Sequence, residues 1–268
     1  MAGTVAFPQP AVRPTRYPVV LMHGFGAMAF FIADGLLHAE AMHLRGHGVL
    51  AYAPRVAPYD TVVRRAAQWS SRLEHIFEET GAERVNLVGF SLGGLDARHV
   101  ATDERWQGRI ASVVTVSTPH HGTPLSTYLL EGPERVATWS VQAMSMVGRR
   151  AWVEDPPNVA ASLAELAPAH VEGVFAPAHP TPAGAWCASY SARAGAGVYR
   201  PLRFTHRLLT QLAGYNDGLV PTASAIWEEH LGTVATDHAR LVGLGRGGAF
   251  DSLEFYLGVA GVLRERGF

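Results

Sequence analysis

Val85-Asn86-Leu87-Val88-Gly89-Phe90-Ser91-Leu92-Gly93-Gly94-Leu95-Asp96-Ala97-Arg98-His99-Val100 joins an apolar run, a glycine-flanked serine and a run able to form a helix, without a break. The apolar run reads as a buried strand. Gly89-Phe90-Ser91-Leu92-Gly93 matches G-x-S-x-G, a strained strand-to-helix turn in which small flanking residues leave the serine hydroxyl exposed. With 28 glycines in 268 residues the pentapeptide alone is a moderate signal, so its weight comes from the strand before it and the helix after it.

Working outward, Tyr17 to Met22 is an apolar run that breaks at His23-Gly24, and Val49 to Ala53 is a second one, stopped by Pro54. Between them and Ser91, the positions Val63, Ala66, Ala67, Leu73, Ile76 and Phe77 follow helical spacing, with Asp60 expected to cap the start and Gly81 the end. Ile110 to Val116 reads as a further strand, Ala185 to Tyr190 and Thr233 to Ala235 as weaker ones, and Phe250 to Leu263 as a closing helix. This alternation implies a mostly parallel sheet with helices on both faces in a single domain over 1–268, and together with the serine turn it resembles the α/β-hydrolase fold. Residues 124–182 break the alternation and read as a helical insertion above the sheet, with Pro133 opening a helix that carries Val136, Trp139, Ala143 and Val147 on one face and Met144 and Met146 nearby.

A serine hydroxyl is a poor nucleophile until a base takes its proton and an acid fixes the tautomer of that base. In this fold the order along the chain is Ser, then Asp or Glu, then His. Spacing favours His238, which follows the last strand, and Asp217 in the turn Tyr215-Asn216-Asp217-Gly218-Leu219-Val220-Pro221. Asp237 lies next to His238 and is badly placed to reach its ring, and Asp155 falls in the insertion. The anion formed on attack needs two backbone N–H donors, expected from Leu92 and from Phe25 in the loop after the first strand. His23 is expected to brace that loop rather than to react.

Composition removes other chemistries. All 22 basic residues are arginine, which excludes Schiff bases, Ser-Lys dyads and a lysine-bearing phosphate loop. Cys187 is alone, so no internal disulfide or C-x-x-C site can form. The net charge of −1 argues against nucleic acid as a partner. No window approaches a transmembrane span, and Met1 to Pro18 lacks a signal-peptide core, so the chain reads as cytoplasmic unless export is implied otherwise. Gly243-Leu244-Gly245-Arg246-Gly247-Gly248 fits G-x-G-x-x-G, but too little chain follows for a dinucleotide-binding unit. His120-His121 points its two rings in opposite directions, unsuited to sharing a metal.

Five segments together resemble the bacterial true-lipase family of secreted triacylglycerol lipases. They are Tyr17 to Phe25, Val85 to Arg98, Val113-Val114-Thr115-Val116-Ser117-Thr118-Pro119-His120-His121-Gly122-Thr123-Pro124, Asn216 to Val220, and Asp237-His238. The resemblance spans about residues 17 to 245 and implies Ser91, Asp217 and His238 as a catalytic triad, Phe25 and Leu92 as oxyanion donors, and a lid within the insertion. It implies an ester or lipid substrate, transient contact with a lipid interface, and export. Trp139, Met144, Met146 and Val147 are candidates for the apolar underside of that lid, with ordinary packing of a cap helix as the alternative. Relatives that bind structural calcium have an Asp two residues after the histidine; Arg240 stands there instead, so no metal and no cofactor is expected. Acyl transfer or polyester depolymerisation on the same scaffold, or a non-catalytic binding role, are the competing readings.

Overall fold

The computed structural model describes residues 11–26, 35–152, 156–245 and 249–268. Among these residues the strands are β1 (Val19–Met22), β2 (Ala51–Tyr52), β3 (Val85–Phe90), β4 (Ile110–Val116), β5 (Trp186–Ala192) and β6 (Glu229–Val234). They form one sheet in the order β2-β1-β3-β4-β5-β6, parallel at every pairing. The chain runs outward from β1 to β2, returns to β3 on the other side of β1, and continues to β6. The switch between β1 and β3 opens a crevice at the carboxyl ends of the strands, the place where open α/β sheets build sites.

Parallel pairing demands crossovers, and the helices supply them: α1 (His38–Gly46), α2 (Val62–Thr80), α3 (Leu92–Thr102), α4 (Pro124–Glu131), α5 (Glu134–Ala151), α6 (Val159–Glu165), α7 (Pro168–His170), α8 (Ala176–Ala178), α9 (Arg203–Ala213) and α10 (Ser252–Glu265). Alternate strand residues feed two cores, as the two-residue period of a strand requires. Val19, Leu21, Val88, Phe90, Val114 and Val116 pack against Leu44 of α1 and against Tyr256, Val259 and Leu263 of α10. Val20, Met22, Leu87 and Val113 turn to the other face and meet Trp69, Leu73 and Ile76 of α2 and Val100 of α3. Cys187 lies in that second core, where burial pushes its thiol up to about 12.

Three expected boundaries shift. Helix α2 is capped by Thr61, whose hydroxyl accepts the Arg64 N–H, while Asp60 sits one step earlier, accepts the Thr61 N–H at 2.9 Å and pairs with Arg64 at 2.8 Å. Strand β2 shrinks to two residues of the five-residue apolar run, because it pairs only with β1 at the sheet edge. Strand β6 begins at Glu229, four residues before the expected start; it is the other edge, and its exposed Glu229 and His230 hide it from a hydrophobic pattern. Residues 124–178 hold α4 to α8, with a π-helical turn (Val171–Phe175) between α7 and α8. Asp155 lies outside the described residues, as do Arg246, Gly247 and Gly248 of the glycine-rich loop.

One buried ion pair joins three elements beneath the crevice. Arg65 of α2 and Asp96 of α3 are both fully buried, 2.8 Å apart, and the Trp69 indole N–H donates to the same carboxylate oxygen at 3.0 Å. The remaining Arg65 donors go to the carbonyls of His23, at 2.7 Å, and Ala57. Removing one partner strands the other charge in the core. Arg65→Met is therefore expected to lose about 3–5 kcal/mol of unfolding free energy in urea, and Arg65→Met/Asp96→Leu to recover most of it. Equal losses in the single and double variants would show that the pair is not the source of the effect.

Candidate active site

Ser91 follows β3 directly and takes φ 54°, ψ −130°, a conformation costly for a residue with a side chain. Close packing enforces it. A Cβ on Gly93 would lie 2.2 Å from the Met22 carbonyl oxygen, and one on Gly24 would lie 2.6 Å from the Ser91 Cβ, so the loop after β1 touches the turn through hydrogen atoms only. The Ser91 N–H continues the sheet by donating to the Val116 carbonyl at 2.9 Å, and the Thr118 hydroxyl donates to the Ser91 carbonyl at 2.8 Å.

The loops after β5 and β6 bring two more groups to this point. His238 Nε2 lies 3.0 Å from Ser91 Oγ, and His238 Nδ1 lies 2.6 Å from Asp217 Oδ2. Asp217 is fully buried, so desolvation pushes its pKa up, yet the charge and hydrogen bond of His238 and the hydroxyl of Ser117 outweigh this and hold it below the ordinary carboxylate value. The Asp217 Oδ1 accepts the N–H groups of Leu219 and Val220 at 2.9 and 2.8 Å. An ionised carboxylate only accepts, so Nδ1 carries the proton and Nε2 is free to accept from the serine hydroxyl. The His238 N–H donates to the Asp217 carbonyl at 2.9 Å, and the imidazole leans on the Phe90 ring with centroids 4.7 Å apart.

Leu92 opens α3, so its N–H has no partner within the helix. Among the described residues the Phe25 N–H has none either. The Phe25 ring is held edge-on to Tyr59 at 4.8 Å, and both rings pack beneath the helices of 124–178, with Met144, Val159 and Leu163 in the same cluster. His23 is buried and braces the loop: its Nε2 accepts the Val56 N–H at 3.2 Å.

The other expected positions part company. Asp237 turns away from the His238 ring and accepts the N–H groups of Tyr199, at 3.0 Å, and Arg240, at 3.1 Å. His120 is buried between the Thr115 hydroxyl and the Arg98 guanidinium, whereas His121 is exposed beside Glu172. On α5, Met144 faces the body of the protein and Val147 is half-buried. Trp139 and Met146 instead face solvent, at 71% and 49% exposure. Spacing places residues on a common face but does not say which way the helix is turned.

Two contributors carry no local signature. Ser117 adopts φ 49° and donates its hydroxyl to Asp217 Oδ2 from 100 residues earlier in the chain. Thr118 supports the turn at Ser91 from the same loop. Only the resemblance of Val113 to Pro124 to a family segment drew attention to them.

Known proteins agree with this architecture. Residues 70–145 match a family model described as the PGAP1-like alpha/beta domain. A triacylglycerol lipase of Vibrio cholerae is 29% identical over 271 residues, covering 90% of this chain and 83% of that protein. A triacylglycerol lipase of Burkholderia plantarii is 33% identical over 119 residues, 43% of this chain and 33% of its own length. Among solved structures, a metagenomic carboxyl esterase superposes with a TM-score of 0.76 at 21% identity, over 98% of this chain and 80% of that one. The Staphylococcus hyicus lipase superposes with a TM-score of 0.73 at 16% identity, over 98% of each chain. The chain is an α/β-hydrolase. It is similar to bacterial triacylglycerol lipases over most of its length, and its enzyme class is ester hydrolase.

Two buried histidines make stability depend on pH. Burial, with the Arg65 charge adding to it, pushes His23 from 6.5 down to about 3. Burial and the Arg98 charge hold His120 well below its usual value. The unfolded chain therefore takes up protons near pH 6.5 that the folded chain refuses, so stability present above that pH is lost as pH falls. The depressed Asp217 acts in the same direction, starting from the ordinary carboxylate value of 3.8. The histidine contribution to the urea midpoint is expected to fall between pH 6.5 and about 3, offset where the buried Glu40, Asp96 and Glu165, whose pKa values burial raises, take up protons in the folded chain first. His23→Gln should flatten the slope by up to about 1.4 kcal/mol per pH unit. An unchanged slope in that variant would contradict a neutral, buried His23.

Proposed function

We propose that the chain hydrolyses carboxylic esters, lipids among them, through Ser91 as nucleophile, His238 as general base and Asp217 as the acid that orients it. The observation that carries the reading is the continuous hydrogen-bond path from the Ser91 hydroxyl through His238 to Asp217, 3.0 Å and then 2.6 Å, on a strained turn at the switch point of the sheet. In the first half of the reaction His238 takes the hydroxyl proton as Ser91 Oγ bonds to the acyl carbon. The N–H groups of Phe25 and Leu92 receive the negative oxygen, and the imidazolium gives its proton to the departing alcohol. Water, deprotonated by the same imidazole, then attacks the acyl-serine, and Ser91 leaves with the proton. Helices α4 to α6 and the π-helical turn share apolar clusters with the side chain of Phe25 and so bound the acyl site from above, in the position of a lid.

No metal enters this scheme. Where the resemblance would place calcium, the Arg240 guanidinium pairs with Asp237 and donates to the Gly197 carbonyl at 2.8 Å. A fixed positive charge there repels a cation and itself joins the His238 loop to residues 197–199, since Asp237 also accepts the Tyr199 N–H. Among the described residues no group of three acidic, His or Cys side chains could hold a metal.

Ser91→Ala is expected to abolish turnover of p-nitrophenyl esters, and Asp217→Asn to lower kcat by about 10⁴ with little change in KM, as loss of the oriented tautomer does in other serine triads. An active Ser91→Ala protein would sink the proposal. An acyl-chain series from acetyl to stearoyl, with and without an emulsion, separates lipase from short-chain esterase: a rise at the interface indicates the former. Excess EDTA is expected to leave the melting temperature unchanged, whereas Arg240→Ala should lower it by roughly 5 °C, for a loss of about 2 kcal/mol. Stabilisation of the wild type by added calcium would overturn the arginine reading.

A further inference from the structure

Arg193 to Tyr215 contains four arginines and no acidic residue, so the rest of this chain of net charge −1 carries −5. Helix α9 lies in this stretch. It packs on α4 and contributes one fully buried residue, Leu209. Phe204, Leu208 and Leu212 recur at i, i+4 and i+8, which puts them on one face of a helix. Phe204 is 63% exposed, Leu212 52%, and Tyr215 just beyond the helix 65%. This is a continuous apolar stripe left facing water. Arg203 and Arg207 border it one turn apart, and Arg193 stacks on the Tyr215 ring at 3.3 Å. Arg193, Arg200, Arg203 and Arg207 are all exposed, and among the described residues none has an acidic partner.

We infer that α9 is a docking helix for an anionic lipid surface. A helix with apolar residues on one side and unpaired arginines beside them lies in the plane of a bilayer interface, its apolar stripe among the acyl chains and its guanidinium groups on the phosphates. The charge decides against a second copy of the chain. A two-fold contact through this stripe would bring arginine against arginine with no carboxylate to offset them. The helix is also tied to the active site. Asn216, immediately before Asp217, donates its side-chain amide to the carbonyls of His206 and Gly214 and to the Thr210 hydroxyl, so the docked helix and the acid-bearing turn move as one piece. This inference does not depend on the ester-hydrolase reading, because it concerns adsorption rather than turnover.

The test is cosedimentation of the Ser91→Ala protein, in which hydrolysis does not erode the membrane, with phosphatidylcholine vesicles that do or do not contain phosphatidylglycerol. Binding is expected to the anionic vesicles and to be weaker by about ten-fold or more on pure phosphatidylcholine. Arg203→Gln/Arg207→Gln should weaken it by roughly 25-fold, about five-fold per arginine, and raised salt should reproduce that loss. Phe204→Ser/Leu212→Ser should weaken binding at any salt. Both double variants are expected to keep the wild-type unfolding midpoint in urea to within a small shift, which shows that the fold survives. Binding that ignores phosphatidylglycerol or either double variant overturns the inference. So does a dimer, seen by sedimentation equilibrium, that Phe204→Ser/Leu212→Ser dissociates.

Discussion

A serine held at φ 54°, ψ −130° is the constraint on which the rest of the site depends. Such a backbone costs of order 1–3 kcal/mol and persists only where its surroundings leave it no alternative. Here they do so from three directions. Strand β3 delivers the chain in register with β4, the loop after β1 presses against Gly93 and Ser91 at distances that admit no extra carbon, and Thr118 ties down the Ser91 carbonyl. The strain turns Oγ toward His238, and Ser91 as a whole is buried, 7% exposed.

The same loop after β1 carries Phe25, so its position sets the distance between the two expected oxyanion donors. That position is secured from below by charge. Arg65, neutralised by Asp96, donates to the carbonyls of His23 and Ala57, and His23 accepts the Val56 N–H. A neutral side chain would satisfy fewer of these carbonyls, and a lysine would offer no planar fork to divide between a carboxylate and two backbone oxygens. The pair thus earns its desolvation penalty through positioning as much as through stability.

How much of this was legible in the sequence follows from the range of each interaction. The turn at Ser91, β1, β3, β4 and α2 announce themselves because strand and helix periods and glycine spacing act within about twenty residues. The meeting of His238 and Asp217 at Ser91 was legible through the order of elements, which brings the loops after the last strands to the turn at Ser91. Ser117, Arg65 and Asp96 were not, because their roles arise from contacts 31 and 100 residues apart in sequence, and no periodic pattern encodes them. Strand β6 was half hidden since an edge strand needs no alternating apolar face, and the outward turn of Trp139 was hidden because helical spacing leaves the rotation of α5 undetermined.

Asp217 and His238 sit on structures of different character, and this bears on how the site holds its shape. His238 rides a loop clasped by Asp237 and Arg240, within a few residues of the ring, and by the Tyr199 N–H. Asp217 occupies a turn closed by Asn216 Oδ1 on the Gly218 N–H, at 2.9 Å, and is braced from β4 by Ser117. Each loop has its own support, and the direct bonds between them are those of Asp217 with the ring and backbone of His238. A change that shifts one loop by a fraction of an ångström therefore reaches the other through the carboxylate and the histidine, the two groups whose alignment the proposed chemistry needs, and through the packing of Leu219 with Ala239 and Leu244. Ser117 limits that motion by fixing the carboxylate oxygen shared with the ring, so the group that sets the tautomer of His238 is itself held by a hydroxyl at the end of a central strand.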